Sequence, residues 1–253
     1  MKYLPVICIM GLVSLAACQE KEQEKPAPAS MTDNEELPAT QRAAKAAENV
    51  RPALERDLSA VHLKFGDPVF IRAFKEERQL ELFVLNRTTK KFDLSRTYPI
   101  AAMSGNLGPK LVEGDSQAPE GFYHVPPEAM NPGSQFHLSF DIGYPNDFDR
   151  ALGRTGTFIM VHGNRVSIGC LAMTDEKIEE IYTLCDAAHN NGQAFFRVHI
   201  FPFRMTGEKM STIAGDPNES FWKNLKEGYD FFETNKVPPN TNTKDGNYVF
   251  SAE

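Results

Sequence analysis

The sequence predicts an α+β fold, mostly β with flanking helices, and three observations predict it. Short runs of alternating apolar and polar residues recur between residues 66 and 202. A well-patterned helix interrupts them near residues 175–193, and further helical segments flank them on both sides. Clusters of Gly, Pro, Asn and Asp punctuate the runs as turns.

Residues 1–17 begin with the positive charge of Lys2, run through an almost wholly apolar stretch and end in Leu15-Ala16-Ala17 before Cys18. The apolar stretch is too short to span a bilayer and reads as a secretory signal peptide. A cysteine at that point resembles the bacterial lipoprotein signal. The resemblance implies that Cys18 is lipidated and becomes the mature N-terminus. Gln19 in place of Asp then implies sorting to the outer membrane. The expected location is the periplasm of a Gram-negative bacterium, with membrane attachment through the N-terminal lipid.

Residues 18–40 are charged, rich in Pro and Ala and nearly free of large apolar side chains, so they are expected to be a flexible tether. Residues 41–65 form an N-terminal helical segment. "TQRAAKAAENV" is built of good helix formers with Thr40 as its cap, and Pro52 is expected to start a second helical piece. Residues 66–202 carry the strand patterns: "PVFIRAF", "LELFVLN", "KKFDLSRTYPIA", "GFYHV", "QFHLSFDI", "GTFIMVHG" and "AFFRVHIFPF". Between the third and fourth, "SGNLGPKLVEGDSQAPEG" is expected to be loop. In the helix from Asp175, Thr174 or Asp175 is the cap, and Ile178, Ile181, Tyr182, Cys185 and Ala188 make an apolar stripe. Residues 203–253 read as a C-terminal helical extension, "SFWKNLKEGYDFFETN", followed by a Pro- and Asn-rich end.

The part after the tether, about 210 residues, is enough for one domain. A formal net charge of −7 with no basic block argues against a nucleic-acid partner. Past the signal and its cysteine only Cys170 and Cys185 remain, so the domain is no disulfide scaffold.

The chemistry concentrates in "VHGNRVSIGCLAM", where His162 and Cys170 stand eight positions apart. Structural zinc wants four closely spaced Cys and His ligands, and none accompany this pair. A nucleophilic cysteine needs an adjacent imidazole, free backbone amides for an oxyanion, and a group to orient the imidazole. Gly163 permits a sharp turn after His162, Gly169 lets amides face a cleft, and the helix starting near Thr174 would favour a thiolate at Cys170. A buried turn cysteine fits the same residues, and residue chemistry alone leaves both readings open. Cys185 falls on the helical stripe and is expected in the core; pairing it with Cys170 would block the nucleophile. His137 and Arg154 are candidate substrate contacts, the latter for a carboxylate. Trp222, with Phe221, Tyr229 and Phe231, is expected to be a packing face rather than a sugar platform.

"HGNRVSIGCLAM" resembles the active-site signature of the L,D-transpeptidase catalytic domain (YkuD) family: His-Gly, then Ser-x-Gly-Cys and an apolar residue. "APEGFYHV" is similar to the family's Thr-Pro-x-Gly-x-Phe strand, with Ala118 in place of Thr, and "ALGRTGTFIMVHG" to its approach to the catalytic histidine. The resemblance implies a transpeptidase-like β-sandwich with Cys170 as nucleophile and His162 as base. It also implies that the carbonyl of Gly163 orients the imidazole, that the amides of Gly169 and Cys170 form an oxyanion hole, and that Ser167 lies within substrate reach. The substrates it implies are peptidoglycan stem peptides containing diaminopimelate, with no cofactor or metal. Two departures stand out: a shorter loop between His162 and Ser167, and Ala172 where the family carries Arg or Asn. With "QFHLSFDIGYPNDFDR" and "FWKNLKEGYDFFE" they look like a YafK-like Gram-negative subgroup. That likeness leaves three expectations open: transpeptidation, amidase release of a peptidoglycan-linked lipoprotein, and a non-catalytic envelope-binding lipoprotein.

Overall fold

The computed structural model describes Met1 and residues 38–252. The expected signal peptide beyond Met1, Cys18 and nearly all of the tether lie outside the described residues.

Helix α1 (Ala39–Ala60) runs unbroken through Pro52, where the sequence suggested a break. Pro38 is its N-cap, and Thr40 lies inside the first turn. The helix survives because Ala46, Leu54 and Leu58 are buried, with Val50 partly buried between them, in a stripe spaced by four that crosses the proline. That stripe packs on helix α3 (Asp175–Asn190).

Strands β1 (Val69–Phe74), β2 (Gln79–Asn86) and β3 (Lys91–Pro99) make an antiparallel meander. Strand β9 (Phe196–Phe201) adds parallel to β1, and β4 (Gly121–Val125) pairs antiparallel with β9, giving the order β3-β2-β1-β9-β4. A second sheet has the order β5 (Met130–Asn131), β6 (Ser139–Asp141), β7 (Met160–His162) and β8 (Leu171–Ala172), with β7 and β8 parallel. A 3₁₀ turn at Pro127–Ala129 and helices α2 (Asp147–Ala151) and α4 (Gly207–Ser211) are connectors too short for the sequence pattern to show. The α+β class read from the sequence is the class observed.

All of β1 is buried because both faces of the larger sheet are covered. Ile71, Ala73, Leu80, Leu82, Val198 and Ile200 belong to the core shared with the second sheet, α1 and α3. Phe70, Phe74, Phe83, Phe122 and Phe201 meet residues of α5 (Glu219–Asn235), namely Trp222, Leu225, Tyr229 and Phe232. Trp222 is therefore in a packing face, 3% exposed. The Pro- and Asn-rich end, placed by the sequence within a helical extension, forms a hairpin instead, β10 (Asn240–Lys244) and β11 (Asn247–Ser251), turning through Asp245 and Gly246 at φ of 50° and 73°. Asp-Gly at positive φ matches the twist that a two-residue hairpin requires.

Two expected strands are shorter than their apolar patterns. His137, at φ 69°, stops "QFHLSFDI" from extending before β6, and Phe158, at φ 54°, does the same to "GTFIMVHG" before β7. A left-handed residue breaks the pleat, and nothing in either side chain announces it.

Residues 101–120 have no regular structure beyond an isolated bridge between Ala102 and Ala172. They are held by a buried charge cluster. The Lys75 ammonium lies 3.0 Å from Glu120 and donates to the carbonyls of Gly108 (2.8 Å) and Ala118 (2.9 Å). Glu120 accepts from the Gly108 amide (2.6 Å) and the Trp222 indole (2.8 Å). Replacing Lys75 by Met leaves a buried carboxylate without its cation, so a loss of about 3–5 kcal/mol is expected in denaturant unfolding.

His199 is fully buried, edge-on to the rings of Phe70 (4.7 Å) and Phe122 (4.6 Å), and neither ring nitrogen has a hydrogen-bond partner. Burial pushes its pKa well below the usual value, helped by the nearby charges of Arg197 and Arg72. The unfolded chain binds this proton near pH 6.5 and the folded chain does not, so stability falls as pH drops below that point. His199→Phe is expected to remove one proton's share of the slope, about 1.4 kcal/mol per pH unit, in unfolding curves between pH 6 and 5.

Candidate active site

The second sheet sets the site. Opposite residues of paired strands share a face, and faces alternate along each strand. Phe140 pairs with Val161, and Val161 with Leu171; all three are fully buried in the core. The alternate residues therefore share the other face. Ser139 lies opposite His162, which pairs with Ala172, and Asp141 lies opposite Met160. Cys170, at the head of β8, joins this face, since its Sγ accepts from the Met160 amide at 3.4 Å. The thiol also points at the Phe158 carbonyl, 3.6 Å away.

His162 is 2% exposed and lies under the Phe136 ring, centroids 4.8 Å apart. Its Nδ1 is 2.6 Å from the carbonyl of Gly163. A carbonyl only accepts, so Nδ1 carries the hydrogen and Nε2 keeps its lone pair. Burial lowers the imidazole pKa, with the Gly163 bond opposing, so the ring rests neutral. Burial likewise pushes the Cys170 thiol up, and Asp141 adds to this; the Met160 amide and Lys110 act the other way. The thiolate bias expected from the helix end is thus outweighed. Met173 and both residues of β8 separate Cys170 from the Thr174 cap.

The turn between His162 and Cys170 is tightly specified. A Cβ on Gly163 would fall 2.5 Å from the Asp175 carboxylate and 2.6 Å from the Phe136 carbonyl. Asp175 uses that oxygen to accept the Asn164 amide at 2.7 Å, which fastens the turn to the start of α3. Gly169 adopts φ 103°, with the Gln117 carbonyl 3.3 Å from where a Cβ would stand. The Ser167 hydroxyl donates to the Cys170 carbonyl at 2.6 Å and closes the turn. Ala172 is fully buried, its amide bonded to the Ala102 carbonyl at 2.9 Å.

His162, Gly163, Ser167, Gly169 and Cys170 thus share one turn. Two other candidates are held by acidic partners. His137 Nε2 lies 2.9 Å from Glu179 on α3, and the His137 carbonyl accepts from Arg42 of α1 at 2.7 Å. Arg154 is 2.8 Å from the fully buried Asp149 and stacks near Phe148 and Phe221. Cys170 and Cys185 are both free thiols, and Cys185 is in the core. Among the described residues no group of three or more His, Cys, Asp or Glu is arranged to hold a metal ion. Sequence reading missed Asp175, taken only as a helix-start acid, and Asp141 and Ser139, which the alternation of "LSFDI" around Phe140 could have assigned to the site face.

A cavity of about 740 Å³ has Asp141, Phe158 and Met160 in its lining, with Thr241, Asn242 and Thr243 of β10. Cys170 and His162 do not line it; Phe158 and Met160 connect it to the thiol, since each has a backbone atom against Sγ.

Residues 68–200 match the family model described as the L,D-transpeptidase catalytic domain, YkuD. The chain belongs to that family and is an enzyme of the peptidoglycan-acting, transpeptidase-like class. It is 43% identical over 186 residues to YafK of Escherichia coli (strain K12), a protein whose name assigns it provisionally to the L,D-transpeptidases; the match covers 74% of this chain and 75% of YafK. The same figures hold for the protein of that name in Escherichia coli O157:H7. Among solved structures, the helical cell shape determining protein Pgp2 from Campylobacter jejuni is 18% identical, with 70% of this chain and 73% of that one covered at a TM-score of 0.44.

Gly163→Ala is expected to cost about 1–3 kcal/mol through overpacking and to displace the Gly163 carbonyl that orients His162. Thermal unfolding should show the loss, and the variant should turn over a peptidoglycan substrate more slowly even where it remains folded.

Proposed function

We propose that this protein carries out cysteine-dependent acyl transfer on diaminopimelate-containing peptidoglycan stem peptides, through a thioester on Cys170. The observation that carries the proposal is the bond from His162 Nδ1 to the Gly163 carbonyl, which leaves Nε2 free as a base on the same sheet face as the thiol. Nε2 takes the thiol proton, and Sγ forms a bond to the carbonyl carbon at the L-centre of the diaminopimelyl residue. The amides of Gly169 and Cys170 receive the oxyanion. His162 returns the proton to the leaving amine as the C–N bond breaks. An amine then resolves the thioester into a new crosslink, or water resolves it into a free acid. The chemistry needs only the protein's own side chains.

The proposed setting is the periplasm of a Gram-negative cell, with the chain anchored through a lipidated Cys18. Residues 1–17 support this by their pattern, and acyl groups on Cys18 in the mass of the membrane-extracted protein are the expected result.

Incubating the protein with two muropeptides, one ending in D-Ala and one bearing a lysine-terminated peptide on diaminopimelate, tests the reaction. Dimers or exchanged D-amino acids identify transpeptidation; release of the lysine peptide without dimers identifies amidase action on a wall-linked lipoprotein. Cys170→Ala should fold normally and yield neither product, and turnover by that variant would overturn the proposal. A binding protein without catalysis would leave both muropeptides intact with the wild-type chain. Because burial lowers the His162 pKa, the acid limb of kcat/KM is expected below pH 6.5, with activity rising as the imidazole loses its proton.

A further inference from the structure

The thiol has an acidic neighbour that the scheme above does not use. Asp141 ends β6, lies opposite Met160 on the site face, and acts electrostatically on Cys170. One of its oxygens accepts the Gly143 amide at 2.9 Å. Among the described residues no ion pair joins this carboxylate, whereas Asp147 is matched with Arg150 and Asp149 with Arg154; Glu128, farther along the same cavity lining, likewise has no ion pair among them. It is half-buried and shares the cavity lining with Phe158 and Met160, the two residues whose backbone atoms touch the thiol. An unpaired carboxylate beside a nucleophile is costly to maintain, because it raises the energy of the thiolate that the reaction needs. It fits a role in which a positive charge enters the site during turnover.

We propose that Asp141 is the binding residue for the amine that arrives at, or departs from, the acyl carbon on Cys170, holding it as an ammonium ion at the mouth of the cavity. This rests on Cys170 being the acylated residue. In the transfer direction the ammonium gives one proton to the Asp141 carboxylate. The free amine forms the C–N bond, and its nitrogen loses a second proton to His162 Nε2. The C–S bond breaks with its electron pair on Sγ, which recovers a proton from His162, while Asp141 releases its own to solvent. The sum is thioester plus ammonium giving amide, thiol and one proton. Burial raises the Asp141 pKa above the usual carboxylate value, which brings it closer to that of the proton it must accept.

Asp141→Asn tests the assignment, since it keeps the Gly143 hydrogen bond and removes the charge. Acylation by a carbapenem, which opens its ring without releasing a separate amine, is followed by intact mass. The variant should acylate Cys170 at least as fast as the wild type, and its thiol should titrate lower, because a like charge has gone. With the muropeptides, steps in which an amine leaves or attacks should slow by 10-fold or more. For transfer, the KM for the acceptor amine should rise and saturation at high amine should recover part of the rate. Equal amine-dependent rates in the two proteins would overturn the role of Asp141. Slowed carbapenem acylation in the variant would also overturn it, by showing a general structural effect. Absence of any acyl adduct on wild-type Cys170 would instead overturn the thioester scheme beneath it.

Discussion

The buried pair of Lys75 and Glu120 is the constraint on which the site depends. The segment from 101 to 120 has no ladder of its own, and a loop of that length pays a large ordering entropy. The charge pair meets it with a full set of hydrogen bonds: two loop carbonyls on the ammonium, a loop amide and the Trp222 indole on the carboxylate. Because Lys75 follows β1 and Trp222 is on α5, one cluster ties the loop to both the large sheet and the helix behind it. The same loop presents the Gln117 carbonyl against Gly169 and the Ala102 bridge against Ala172. The turn that carries Cys170 is thus shaped on one side by a segment whose own shape is set by electrostatics in the protein interior.

On its other side the turn is shaped by packing. A Cβ at Gly163 would press on Asp175, Phe136 and His137 inside van der Waals contact, and two of these are held from elsewhere. Asp175 begins α3, while His137 is gripped by Glu179 of α3 and by Arg42 of α1. The oriented imidazole, its pKa lowered by burial, is therefore the product of two helices, one turn and a buried position under Phe136, and burial pushes the thiol pKa up beside it. Charge at rest is kept low at Cys170 and His162, with Asp141 as the exception that invites a cation.

Much of this was legible. Strands β1 and β2 could be read because strands covered on both faces keep a dense apolar pattern, the exposed edge strand β3 from its alternation, and α3 from its stripe. That glycines at 163 and 169 permit tight turns beside His162 and Cys170 could be read from residue type, while the bond from His162 to the Gly163 carbonyl was implied by the family resemblance and is present at 2.6 Å. The Asp245-Gly246 hairpin was present in the sequence but masked by the surrounding Pro and Asn residues. The left-handed backbones at His137 and Phe158 could not be read, since tertiary contacts and not side-chain type impose them. The partners of Arg154 and His137 were equally hidden: an Arg or a His near a catalytic motif looks free until the fold delivers an acid to it. The continuity of α1 through Pro52 depends on the buried stripe of Ala46, Val50, Leu54 and Leu58, which runs past the proline and leaves it exposed.

The hairpin of β10 and β11 lines the cavity through Thr241, Asn242 and Thr243, yet it lies far along the chain from the His162–Cys170 turn and, among the described residues, shares no strand pairing with either sheet. Substitutions in that hairpin are therefore free to change the shape and polarity of the cavity while the His162–Cys170 turn and its hydrogen bonds stay unchanged.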